Sequence, residues 1–182
     1  MCRRMLYVID LQKGMLNSES AKCVTPITQF LKENREKKIF DFACASAYIN
    51  HALTPCYRDG WKDCMDEDSK SFVFDANGLV DKVFNKYTYA SVNTAVYDYL
   101  RSNNIKQVYL CGISTNCCVL ATAFELYDAG YEVFLISDIC RASTKENHDA
   151  GVLTFASCMG ESRVVTSKDI VEELEKTSEM ER

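Results

Sequence analysis

Short apolar runs separated by helical patterns recur along the whole 182-residue chain. This alternation constrains the fold more than any other feature. The runs cover residues 5–9, 39–45, 83–84, 107–111, 132–137 and 163–166, and each reads as a buried strand. Between them, Thr25 as N-cap and Pro26 at the first helical position open a helix that ends near Lys38. Val92, Val96, Tyr99 and Leu100 form a second helical stripe. A third helix covers 119–128, with Gly130 in its C-cap region. Residues 146–156 and 168–175 read as the last two helices, with fraying expected from Thr177 onward. Strand–helix alternation with right-handed crossovers implies a three-layer α/β/α fold, a mainly parallel six-stranded sheet with helices on both faces. In such sheets ligands lie beyond the carboxyl ends of the strands. Asp10, Lys86 and the segment from Gly112 to Cys118 all fall there.

With 47% hydrophobic residues, this length suits one domain with a full core, placed at about residues 5–175. The polar connection over residues 46–78, punctuated by Pro55, Gly60 and Gly78, is long enough to carry function and short helices of its own. No uncharged apolar run approaches the ~18 residues of a membrane span. The start of the chain lacks the apolar length and cleavage site of a signal peptide, so a cytoplasmic protein is expected. A net charge of −5 argues against a nucleic-acid footprint. Ten cysteines invite a disulfide or zinc reading, but disulfide frameworks belong mainly to small secreted chains and no close CxxC pair exists. Most of the thiols therefore read as small buried hydrophobes.

One thiol stands apart. Gly112-Ile-Ser-Thr-Asn-Cys-Cys-Val119 joins a strand to a helix, which places Cys117 or Cys118 at the helix start. A helix dipole there favours thiolate and lowers the pKa, and free N–H groups at the same turn suit an oxyanion. Asp10 and Lys86 offer a proton acceptor and charge compensation from neighbouring strand ends.

Three blocks, Val8-Ile-Asp-Leu-Gln-Lys-Gly14, Lys86-Tyr-Thr-Tyr-Ala-Ser91 and Gly112-Ile-Ser-Thr-Asn-Cys-Cys-Val-Leu-Ala-Thr-Ala123, together resemble the isochorismatase-like cysteine hydrolases. That superfamily includes nicotinamidases, N-carbamoyl amide hydrolases and isochorismatase itself, and the likeness spans roughly residues 6–165. The resemblance implies that Cys118, directly before Val119, is the nucleophile and Cys117 a variable neighbour; because vicinal disulfides are strained, Cys117 reads as a packing residue rather than a resolving thiol. It implies Asp10 as acid/base and Lys86 as the lysine of the site. It also implies a cis peptide at Ile113–Ser114 that aims the Ser114 and Cys118 N–H groups into one oxyanion hole. The implied reaction is hydrolysis of a small-molecule amide through a thioester. A non-amidase hydrolase with Cys118 as bystander, and an idle binding protein that kept the fold, are the alternatives.

Departures from the family pattern narrow the expectation. The Asp-x-His metal motif of the nicotinamidases is missing from residues 45–51, where only His51 is near, so no metal or cofactor is expected and nicotinamide is disfavoured. Members that hydrolyse a vinyl ether generally lack the cysteine, so Cys118 points to C–N cleavage. Gln12, Tyr48, Asn50 and Trp61 are candidate substrate-binding residues. Trp61, Phe72 and Phe74 suit either an aromatic pocket wall or ordinary packing. His51 reads as a loop histidine with a backbone or water partner, and His148 as a packing or capping residue. The resemblance further implies a homo-oligomer, a dimer or higher, with no nucleic-acid or membrane partner.

Overall fold

The computed structural model describes the backbone of residues 3–180 and the side chains through Glu173; Cys2 lies outside that range. Six strands form one sheet: β1 (Arg3–Ile9), β2 (Phe42–Tyr48), β3 (Lys82–Lys86), β4 (Ile105–Ile113), β5 (Glu132–Arg141) and β6 (Val164–Val165). Their order is β3-β2-β1-β4-β5-β6, and every pairing is parallel. The chain first steps outward from β1 to β3, then returns to the other side of β1 and steps out to β6. With right-handed crossovers this reversal puts the helices on both faces and opens a crevice between the ends of β1 and β4.

The helices are α1 (Val24–Lys37), α2 (Pro55–Arg58), α3 (Glu67–Lys70), α4 (Ala76–Leu79), α5 (Thr94–Ser102), α6 (Leu120–Asp128), α7 (Lys145–Met159) and α8 (Ser167–Met180). Among the described residues no helix is long and apolar enough to cross a membrane. The core lies on the central strands, where Met5 to Ile9 and Val108 to Ile113 are buried. Two-sided burial is why these strands are continuous apolar runs rather than alternating ones.

Several elements differ from the sequence expectation. β2 begins at Phe42 and runs to Tyr48, three residues later than expected at each end. Ile39 and Phe40 are buried before the strand starts, with Phe40 N–H donating to Asn34 Oδ1 at 2.8 Å. The true strand end, Ala-Ser-Ala-Tyr, is small and partly polar, so its burial is invisible to periodicity. α1 starts at Val24, one residue before the expected cap, because a 3₁₀ turn over Ser20–Cys23 runs straight into it. β4 and β5 both extend beyond the expected runs, and α8 continues past Thr177 to Met180.

Gly112 explains why the site forms between β1 and β4. It pairs with Ile9 at φ +114°, and a Cβ there would sit 2.3 Å from the Ile9 carbonyl oxygen. Only glycine permits both that backbone conformation and that approach.

Candidate active site

Asp10 is the first residue beyond β1 and has a left-handed backbone, φ +50°. That conformation is uncommon for a side-chain-bearing residue and turns the chain sharply out of the sheet. Its carboxyl is wholly buried and is held from β2, the strand paired with β1. Ser46 Oγ donates to Asp10 Oδ1 at 2.7 Å and accepts from the Asp10 N–H at 3.2 Å. Lys86 closes β3, one strand farther out, in register with Tyr48. Its Nζ lies 2.6 Å from Asp10 Oδ2 and donates to the Tyr89 carbonyl at 2.6 Å. The contact with Oδ2 is a buried ion pair.

Cys118 comes from the other side of the crevice. After β4 the Ile113–Ser114 peptide is cis, and Thr115–Val119 forms a π-helical turn before α6. The N–H groups of Cys117 and Val119 both donate to the Ser114 carbonyl, at 3.0 and 3.1 Å, on either side of the Cys118 N–H. Thr122 Oγ1 donates to the Cys118 carbonyl at 2.6 Å and accepts from the Ser91 N–H at 2.8 Å. Tyr7 O–H donates to the Ser91 carbonyl at 2.7 Å, so the turn is anchored to β1 through three residues. From behind, α7 presses on the turn at Gly151, where a Cβ would meet Asn116 N at 2.7 Å. His148 joins Thr115 Oγ1 through Nδ1 at 2.9 Å.

The electrostatics correct one expectation. Burial, reinforced by the Asp10 charge, pushes the Cys118 thiol up to about 12, with Lys86 opposing. The helix-start argument for a lowered pKa is outweighed because the thiol is 8% exposed and beside a carboxylate. Burial also raises Asp10 above the usual carboxylate range, against the lowering effects of Lys86, Ser46 and Cys118. Burial thus drives both groups toward their neutral forms, while Lys86 favours the charged form of each.

Above this cluster opens a cavity of about 250 Å³ lined by Met15, Tyr48, Cys56, Asp59, Trp61, Tyr89, Ile113, Ser114, Cys117 and Cys118. Two of the four candidate substrate residues reach it: Tyr48 and Trp61, with ring centroids 5.6 Å apart. The other two are corrected to loop supports. Gln12 Nε2 donates to the carbonyls of Tyr48 and Lys70, at 3.1 and 2.8 Å, and its Oε1 accepts from the Tyr48 N–H at 2.7 Å. Asn50 Nδ2 donates to the carbonyls of Trp61 and Asp63, at 2.9 and 3.0 Å, and its Oδ1 accepts from Thr54. Buried amides with their groups so occupied hold the loop and leave little to offer a ligand.

Phe72 and Phe74 pack on each other at 5.1 Å and against the core, away from the cavity lining. His51 Nδ1 accepts from the Leu53 N–H at 3.2 Å, and no metal-holding group of three His, Cys, Asp or Glu side chains occurs among the described residues. Cys117, expected to pack, is half-buried and faces the cavity. The nine described cysteines are all free thiols. Sequence reasoning missed Ser46, Tyr89, Thr122, Cys56 and Asp59. Ser46 was findable as the β2 residue opposite the end of β1, and Thr122 lies on α6 within the block over residues 112–123; Tyr89, Cys56 and Asp59 depend on the paths of the connections on either side of β3, which have no periodic signal.

The isochorismatase domain family matches residues 4–169. Isochorismatase family protein YwoC of Bacillus subtilis is 28% identical over 185 residues, covering 93% of each chain. A secreted isochorismatase effector of Phytophthora sojae, Isc1, is 41% identical over 68 residues, and that match spans only 32% of its length. Isochorismatase family protein 2A of Dictyostelium discoideum is 28% identical over 64% of its length. Two solved structures share the fold: a cysteine hydrolase from Pseudomonas syringae pv. phaseolicola and the nicotinamidase PncA from Bacillus subtilis. The first has TM-score 0.80 and 20% identity, covering 96% of this chain and 93% of the other. The second has TM-score 0.78 and 18% identity, covering 90% and 99%. With a family match running from the first strand into the last helix, this chain belongs to the isochorismatase family.

Proposed function

We propose that this protein is a cysteine hydrolase that cleaves a C–N bond of a small amide or N-carbamoyl compound through a thioester on Cys118. The observation that carries the reading is a buried thiol in contact with an Asp10–Lys86 ion pair at the base of a cavity large enough for a small molecule. An ion pair shut away from water is an expensive arrangement for stability alone, and this one is aimed at a nucleophile.

Asp10 takes the Cys118 proton as sulfur attacks the substrate carbonyl, while the Lys86 ammonium supports the thiolate. The transfer suits this pair because burial raises the proton affinity of Asp10, bringing it closer to the thiol it serves. The N–H groups of Ser114 and Cys118 hold the tetrahedral oxyanion. Protonated Asp10 then gives its proton to the leaving nitrogen, the C–N bond breaks, and ammonia or an amine departs from a thioester. Water, deprotonated by Asp10, attacks that thioester; the carboxylic acid leaves and the proton returns to sulfur. One water is consumed for each amide cleaved.

Mass spectrometry during turnover of a small amide tests the scheme. Wild-type protein should carry an acyl adduct on the Cys118 peptide, and Cys118→Ala should carry none and release no ammonia. Full activity in Cys118→Ala would overturn the reading and favour a hydrolase in which the thiol is a bystander.

A further inference from the structure

The cavity wall is unusual in charge and shape. Three aromatic rings line it, those of Tyr48, Trp61 and Tyr89. Among the described residues, the only charged side chain on its surface is Asp59, an exposed carboxylate with no cationic partner. The basic residues on either side of Asp59 are directed elsewhere. Arg58 is not part of the lining, and Lys62 Nζ lies 3.1 Å from the centre of the Tyr57 ring and donates to the Tyr57 carbonyl at 2.9 Å. Lys86, beneath the cavity, is already held by Asp10 and the Tyr89 carbonyl. A substrate carboxylate would therefore meet no available cation and one like charge. A cation would meet a free counter-charge and the aromatic rings of Trp61 and Tyr89; the Tyr48 ring already has Lys86 Nζ 5.7 Å from its centre.

From this arrangement we propose that the site selects amides whose far end carries an alkylammonium group, seated against the rings of Trp61 and Tyr89 with Asp59 as its counter-ion. The inference rests on the amide-hydrolase reading for its chemistry, but the cage itself does not require catalysis. The chain's net charge of −5 acts in the same direction on the approach of a cation.

Trp61 is the single tryptophan of the chain, so its fluorescence reports occupancy of the cage directly. Cys118→Ala protein is titrated with betaine amide and with 3,3-dimethylbutanamide, in which a carbon replaces the quaternary nitrogen. The cation is expected to bind about tenfold more tightly, by cation–π attraction and the Asp59 charge together. Asp59→Asn should bring that ratio close to one, Asp59→Glu should retain most of it, and succinamate should give no saturable quenching. In wild-type protein the ratio of kcat/KM for ammonia release from the same pair should follow the binding ratio. Equal or tighter binding of the neutral amide, or a ratio untouched by Asp59→Asn, overturns the cage. Selective, Asp59-dependent binding without ammonia release from any amide supports the cage and overturns the hydrolase reading. Ammonia release with no preference between the pair does the reverse.

Discussion

The base of the cavity and its wall are built on different principles. The base consists of Asp10, Lys86 and the turn carrying Cys118, each attached to the end of a strand in one parallel sheet. Strand register sets their separations: Ile9 pairs with both Ser46 and Gly112, and Tyr48 pairs with Lys86. The wall is formed by Tyr48, Tyr89 and the loop over residues 49–81, whose three helices have four residues each and contain no buried residue. It is held by side-chain hydrogen bonds from Gln12 and Asn50 and by the Asp66 and Asp75 caps. Under the proposed function, reaction chemistry falls to the strand ends and recognition to the loop. Changes at the base should therefore alter the chemical step, and changes in the wall should alter binding.

The largest effect is expected at Asp10. Asp10→Asn keeps the shape but removes the base, and kcat/KM should fall by about 10³-fold while circular dichroism stays native. Activity within tenfold of wild type would remove the base of the cavity from the chemistry.

Ser46→Ala probes the same region more gently. The Ser46 hydrogen bond lowers the Asp10 pKa against the upward push of burial, so its loss should raise it further. Asp10 must be ionised to accept the thiol proton. The acidic limb of kcat/KM against pH should then move to higher pH. A downward or absent shift would show that another group sets this limb.

Asn50→Ala tests the wall. Its amide spans Trp61, Asp63 and Thr54, and losing those bonds should cost about 1–3 kcal/mol of local order. KM should rise several-fold with kcat changed less than about twofold, read by steady-state ammonia release. A fall in kcat as large as the rise in KM would mean that wall and base are not separable.

How much of the molecule is legible in its sequence differs between the two regions in the same way. The central strands are buried on both faces, so β1 and β4 appear as unbroken apolar runs. The residues leaving those runs are recognisable as a site from their position alone. The extent of β2 is not legible, because Ala45, Ser46 and Ala47 carry no strong pattern although the sheet buries all three. Tyr48 and Trp61 do line the cavity as expected. Gln12 and Asn50 do not, because a polar residue near a site looks alike whether it faces substrate or a backbone carbonyl. Only the path of the loop separates the two.

By itself, then, the sequence determined the order of strands and helices, the parallel sheet and the residues at the carboxyl ends of its strands. These follow from local pattern and from the handedness of crossovers, which the chain carries everywhere along its length. Tertiary structure alone decided the direction in which the thiol and carboxyl of the site are shifted and the character of its wall. The Cys118 thiol is pushed up rather than down because desolvation depends on every atom packed around it, and a helix start cannot report that. Asp59 and Tyr89 reach the same cavity as Trp61 because the loops on either side of β3 close over one crevice, an outcome set by packing rather than by the residues' own propensities.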